Sequence, residues 1–185
     1  MTTSNVIILV LAIAVVALVA VLVSQRRRTQ KLKAKFGPEY DRLVSTEGNS
    51  RRAETVLDAR EKRFAKFNIR HLTREECGRF ADEWQTVQER FVDDPRRAVA
   101  QADQLVNEAL RARGYPMGDF EQQAADVSVE HPRVVEEYRA AHDIAVRDRR
   151  GQATTEELRR AMQHYRALFE QVLDTRVIHH EGIRR

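Results

Sequence analysis

One cysteine and six histidines supply the side chains that most often act as nucleophile, base or metal ligand near neutral pH. Cys77 could attack a substrate if a histidine lay close in space. Its spacing from Phe80 and Trp84 places it on an apolar helical stripe instead, the position of a small core residue. His142 shares a stripe with Tyr138 and Ala145, and His164 adjoins Tyr165. Two histidines on facing helices could bind a metal in a bundle core, but such sites recruit Glu-x-x-His pairs. Arg139 and Ala161 occupy the i−3 positions here, so no metal ligand set is expected. His179-His180-Glu181 lies in a polar, basic tail expected to be flexible.

The acidic pairs Asp93-Asp94, Glu75-Glu76, Glu136-Glu137 and Glu156-Glu157 invite an acid–base reading. Three of them fall in or beside first helical turns, where carboxylates favour the helix dipole. Adjacent residues on a helix also point about 100° apart and do not form a dyad. Arginine doublets at 51–52, 96–97, 149–150 and 159–160 alternate with acids and read as solvated surface. The seven glycines are scattered singly, so no phosphate loop exists, and no metalloprotease, EF-hand or nucleophile-elbow motif is present. The expectation is a chain with no catalytic residues and no cofactor.

The elements around these residues begin with an apolar run. Residues 6–23 are all Val, Ile, Leu or Ala, and all 12 aromatics of the chain lie outside them. Eighteen helical residues cover roughly 27 Å, close to the hydrocarbon thickness of a bilayer. The composition excludes a single soluble globule, a multi-span protein and a disulfide scaffold. A cleavable signal peptide is the alternative to an anchor. The five residues before the run carry no positive side chain, and Val21-Leu22-Val23 closes it without a small-x-small site. A transmembrane helix at 6–23 is therefore expected.

Arg26, Arg27, Arg28, Lys31, Lys33 and Lys35 follow the run, and no acid occurs before Glu39. This bias places the C-terminal side in the cytoplasm and residues 1–5 outside, for a single-pass protein of the cell membrane. The six cations are the candidate contacts for anionic lipid headgroups. The net charge of +4 divides into +6 over 24–38, −4 over 39–175 and +2 over 176–185. An acidic cytoplasmic region argues against a nucleic-acid partner.

Beyond a basic juxtamembrane segment at 24–37, Phe36-Gly37-Pro38 marks a helix break. Residues 38–67 read as a charged helical stalk, either interrupted or exposed between Val44 and Ala53. Thr73-Arg74-Glu75-Glu76 and Thr154-Thr155-Glu156-Glu157 are capping boxes. Asp94-Pro95 starts a helix that Gly114 and Pro116 stop, a short helix is expected from Asp119 to about Val127, and Pro132 opens another that ends before Gly151. No segment alternates with period two over strand length. The expected fold is all-α, with a small helical bundle at 72–174 and a flexible basic tail at 175–185.

The strings Phe36-Gly37-Pro38-Glu39-Tyr40-Asp41-Arg42, Arg90-Phe91-Val92-Asp93-Asp94-Pro95, Arg113-Gly114-Tyr115-Pro116, Asp119-Phe120-Glu121-Gln122 and His164-Tyr165-Arg166-Ala167-Leu168 resemble a family of uncharacterised bacterial membrane-anchored proteins, common in actinobacteria. The resemblance covers roughly residues 31–174 and brings no activity or site with it. Arginine outnumbers lysine 27 to 5, which suits a GC-rich bacterial genome. The leading expectation is an interaction or scaffold module at the bacterial membrane, with the bilayer and a further protein as partners. A homo-oligomer is compatible with it. The alternatives are a bundle that senses a small molecule or lipid through Trp84, Tyr138, His142 and Tyr165, and an enzyme whose cleft gathers His142, His164 and carboxylates.

Overall fold

The computed structural model describes the backbone of residues 3–173 and the side chains of residues 11–173. Among them the chain is all-α. Eight helices follow one another: α1 (Thr3–Phe36), α2 (Pro38–Glu47), α3 (Ser50–Phe64), α4 (Arg74–Arg90), α5 (Pro95–Arg113), α6 (Phe120–Glu130), α7 (Val135–Arg149) and α8 (Thr155–Val172). Two compact units divide the chain, one through Leu57 and one from Asp58, so the boundary falls inside α3. Residues 38–67, read from sequence as one charged stalk, are shared between the two.

In the first unit, α1 runs without interruption from the apolar stretch through the basic cluster to Phe36. It stops at Gly37, whose φ of 51° is open to glycine, and Pro38 restarts the chain as the first residue of α2. Leu32 and Phe36, four residues apart on one face of α1, are buried, as are Tyr40, Leu43, Ala53 and Leu57. Two buried acids are held within this unit. Glu54 accepts from the Thr29 hydroxyl at 2.6 Å and from Tyr40 at 3.3 Å. Glu39 receives both prongs of the Arg42 guanidinium at 3.0 Å.

Residues 11–23 of α1 carry its exposed aliphatic side chains, with Val16 at 68% of full exposure and Leu11 at 60%. Among the described residues, no helix is long and apolar enough to cross a membrane. Thirteen described apolar residues make only about 20 Å of helix before Arg26 is reached. The side chains of residues 6–10, which complete the 18-residue run, lie outside the described set. Residues 174–185, His179-His180-Glu181 among them, lie outside it altogether.

The second unit has one continuous core drawn from α4 to α8. Helix starts follow the side-chain chemistry. Thr73 and Glu76 close the capping box of α4, Thr154 and Glu157 that of α8. Asp94 caps α5 by accepting from the Arg97 N–H, and Asp119 caps α6 through Gln122. Each such cap stabilises its helix by about 1 kcal/mol. Two boundaries differ from the sequence expectation. Pro132 does not open α7: Val134 N–H donates to His131 O at 3.2 Å, a turn with proline in its favoured second position, and the helix begins at Val135. Likewise α6 runs past Val127 to Glu130, and within it the buried Ser128 hydroxyl donates to Ala125 O at 2.6 Å.

Candidate functional site

Three places in the second unit gather polar or aromatic groups. At the first, Tyr138 of α7 and Tyr165 of α8 are fully buried, with ring centroids 6.4 Å apart in edge-on contact. The Tyr165 hydroxyl donates to Asp103 Oδ1 at 2.9 Å, and Tyr138 donates to Asn107 Oδ1 at 3.4 Å. Asn107 Oδ1 also accepts from Gln123 Nε2 at 2.6 Å. Asp103 and Asn107 sit one turn apart on α5, so a single helix face satisfies both phenols. Burial pushes each phenol far above its ordinary range, with the Asp103 charge adding to it. Both therefore stay neutral donors at any physiological pH.

Phe120 extends this seam. Its ring lies edge-on to Tyr138 at 4.9 Å and flat against the His142 imidazole at 3.6 Å. Burial holds the His142 pKa below its ordinary value, against the pull of Asp103. Its Nδ1 is buried without a hydrogen-bond partner. The charges acting on this ring are Asp103, Arg149, Glu121 and Asp143. The seam suits helix positioning: its two phenols are fully buried and their hydroxyls point to acceptors on α5. Cys77 is buried with its Sγ 3.7 Å from Leu173 O, the place of the core residue expected. No group of three or more His, Cys, Asp or Glu among the described residues could hold a metal ion.

The second place is a node around Arg113, which is 2% exposed at the end of α5. Its Nη2 donates to Glu130 Oε1 at 2.6 Å, its Nε to Arg70 O at 3.2 Å, and its Nη1 to Val172 O at 3.4 Å. The same Nη1 lies 3.1 Å from His131 Nε2, which must accept, since a guanidinium only donates. Glu130 Oε2 takes the Tyr115 hydroxyl. Hydrogen bonds from Tyr115 and Arg113 hold the Glu130 carboxyl below its usual range despite its burial. Four parts of the chain meet here: the segment before α4 and the ends of α5, α6 and α8. Arg113 lies three, four and seven residues after Leu110, Ala109 and Val106, so a charge on the apolar stripe was the sequence signal for this node. Nearby, buried Asp126 accepts from Arg63 Nε at 3.1 Å.

The third place holds Trp84, which the sensor reading groups with Tyr138, His142 and Tyr165. Trp84 instead stacks on Phe169 of α8 at 4.6 Å and lines a groove of ≈ 180 Å³ between α4 and α8. The indole N–H is buried without an acceptor, a standing cost of about 1–3 kcal/mol. A second groove, of ≈ 310 Å³, runs between α4 and α5 and is lined mostly by Glu, Gln, Thr and Arg. Neither groove is lined by Tyr138, His142 or Tyr165.

In the first unit the six expected lipid contacts, Arg26, Arg27, Arg28, Lys31, Lys33 and Lys35, are all exposed on α1. Lys33 Nζ lies 3.5 Å from Asp41, and Lys35 Nζ stands over the Phe36 ring at 5.5 Å. Thr29, Leu32 and Phe36 occupy one face of this stretch, and the cations occupy the rest.

Among the described residues, fold and sites together define an all-helical protein with an exposed apolar N-terminal helix, a basic collar and a bundle tied by buried polar nodes. No protein-family model matches the chain, nor does any curated protein or solved structure.

Proposed function

We propose that this chain is a non-catalytic interaction module tethered to the bacterial cell membrane. Its apolar run, residues 6–23, crosses the bilayer once with the N-terminus outside, and the helices from α2 onward face the cytoplasm. The observation that carries this reading is the continuity of α1: exposed aliphatic side chains lead without a helix break into six exposed cations. Exposed apolar surface of this extent calls for a cover, and lipid tails cover it on every side. The cations then stand at headgroup level, each contributing about 1 kcal/mol at an anionic surface. The Asp103 and Arg113 nodes support the interaction role by fixing the helices that present the bundle surface.

The test is fractionation of the full chain, followed by labelling from its C-terminal region. The chain should pellet with membranes through an alkaline wash, and a variant starting at residue 24 should not. Release of the full chain by the wash would overturn the anchor. Proximity labelling from the bundle should return cytoplasmic protein neighbours; labelling that reaches none would overturn the interaction role.

A further inference from the structure

The groove between α4 and α8 carries two kinds of chemistry in a small space. Trp84, Phe91 and Met162 form an apolar floor, and Gln88 and Gln163 stand at the rim. Arg159 and Arg166 also line it, seven residues and hence two turns apart on α8, roughly 10.5 Å along its axis. Val92, next to Phe91 in the chain, is 83% exposed. Trp84 also keeps its own Nε1–H buried without an acceptor.

We propose that this groove docks an acidic amphipathic helix of a partner protein, with one large apolar side chain over Trp84, Phe91 and Met162, and carboxylates on Arg159 and Arg166. The proposal rests on reading the bundle as an interaction module and is independent of the anchor.

Size and charge select this occupant. A volume of ≈ 180 Å³ falls below the ~300–1,000 Å³ of small-molecule sites. It fits a single anchor residue, the unit by which helices seat in grooves. Arg159 pairs with Glu156 at 2.6 Å and Arg166 with Glu170 at 2.7 Å, all four side chains at least half exposed. Such surface pairs hold weakly, and each guanidinium keeps further donors for an incoming carboxylate. An acidic partner helix takes each guanidinium over from its exposed glutamate and finds apolar contact between the two.

The test selects helical peptides from a displayed library against the full chain in nanodiscs. Recovered peptides should carry Asp or Glu about seven residues apart around one Leu, Phe or Trp. Their affinity should fall at least tenfold on Arg159→Glu with Arg166→Glu, and return when the peptide acids become lysines. Peptides without the acids, or binding indifferent to the charge reversal, would overturn the proposal. A photo-crosslinker at Gln163 in native membranes gives a readout on the otherwise unaltered chain. A crosslink to an acidic helical segment of another protein supports docking. A crosslink to residues 174–185, a second copy or lipid overturns it. Cytoplasmic neighbours found by labelling, none of them joined through Gln163, would overturn the groove alone; no neighbour at all would overturn both readings.

Discussion

Arg113 and Glu130 meet at 2.6 Å where the ends of α5 and α6 converge, and the guanidinium is almost fully buried. With Arg70 O, Val172 O, His131 and Tyr115 around them, the pair ties four chain segments to one side chain. Removing one member leaves the other desolvated. Arg113→Ala should lower unfolding stability by about 3–5 kcal/mol in urea titration. Tyr115→Phe, which removes one bond to the carboxylate, should cost about 1.5–3 kcal/mol. Equal, small losses from both variants would mean that the node does not organise the bundle.

Gly114 follows Arg113 with φ of 97°, and a Cβ there would stand 2.4 Å from Asn68 O. That backbone oxygen cannot step aside without moving the Arg70–Arg113 pairing beside it. Gly114→Ala should therefore destabilise by more than about 1 kcal/mol, the steric clash adding to the backbone strain. Gly78 is the counterexample: it lies inside α4, and a Cβ there meets nothing within 4 Å. Gly78→Ala should raise stability by about 0.5–1 kcal/mol through helix propensity. Thermal melts of the two variants should shift in opposite directions.

Acid should weaken the starts of α4 and α8 together. The Arg70 guanidinium and the Thr73 N–H hold Glu76 at a pKa of about 2. For Glu157 the Thr154 N–H comes first and Arg147 second, again giving about 2. Both values lie below the unfolded 4.5, so the unfolded chain binds more protons between them. The contribution is complete above pH 4.5 and is lost as pH falls towards 2. A Glu76→Gln, Glu157→Gln double variant should show a shallower fall of melting temperature across that window. Parallel curves for the variant and the parent would refute the assignment.

His142 acts at a milder pH. Burial against Phe120 lowers its pKa, so the folded chain gives up the proton more readily than the unfolded one. Stability from this group is present above pH 6.5 and declines as pH falls through the folded value. His142→Phe retains a flat ring on Phe120 and should reduce the loss of stability between pH 7 and pH 5. Nuclear magnetic resonance titration of the imidazole should place its midpoint below that of an unfolded histidine; a midpoint above it would reverse the sign.

The parts legible in the sequence are those encoded locally. Thr73 with Glu76, Thr154 with Glu157, and Asp94 with Pro95 fix helix starts by chemistry within four residues, and the structure places all three where that chemistry requires. The apolar stripes gave the core residues Phe80, Trp84, Leu105, Tyr138 and Tyr165 for the same reason. Long-range pairing was not legible. Arg63 meets Asp126 across 63 residues and Tyr165 meets Asp103 across 62, and neither spacing leaves a periodic trace. Stripes show which face is buried but not which ring covers it: Trp84 stacks on Phe169, and His142 stacks on Phe120. Pro132 misled because a proline suits the second position of a turn as well as the first turn of a helix.

The continuity of α1 has a mechanical side. Its first half is aliphatic all round and has no preferred angle about its own axis. Its last turns have a strict one, because Leu32 and Phe36 must face inward while the cations face out. A single residue inserted between Val23 and Leu32 would turn the two halves by about 100° and lengthen the helix by about 1.5 Å. The aliphatic half would absorb the turn unchanged. Angular phase along this helix is therefore set entirely by its basic, packed end, and the apolar end follows as a passive shaft.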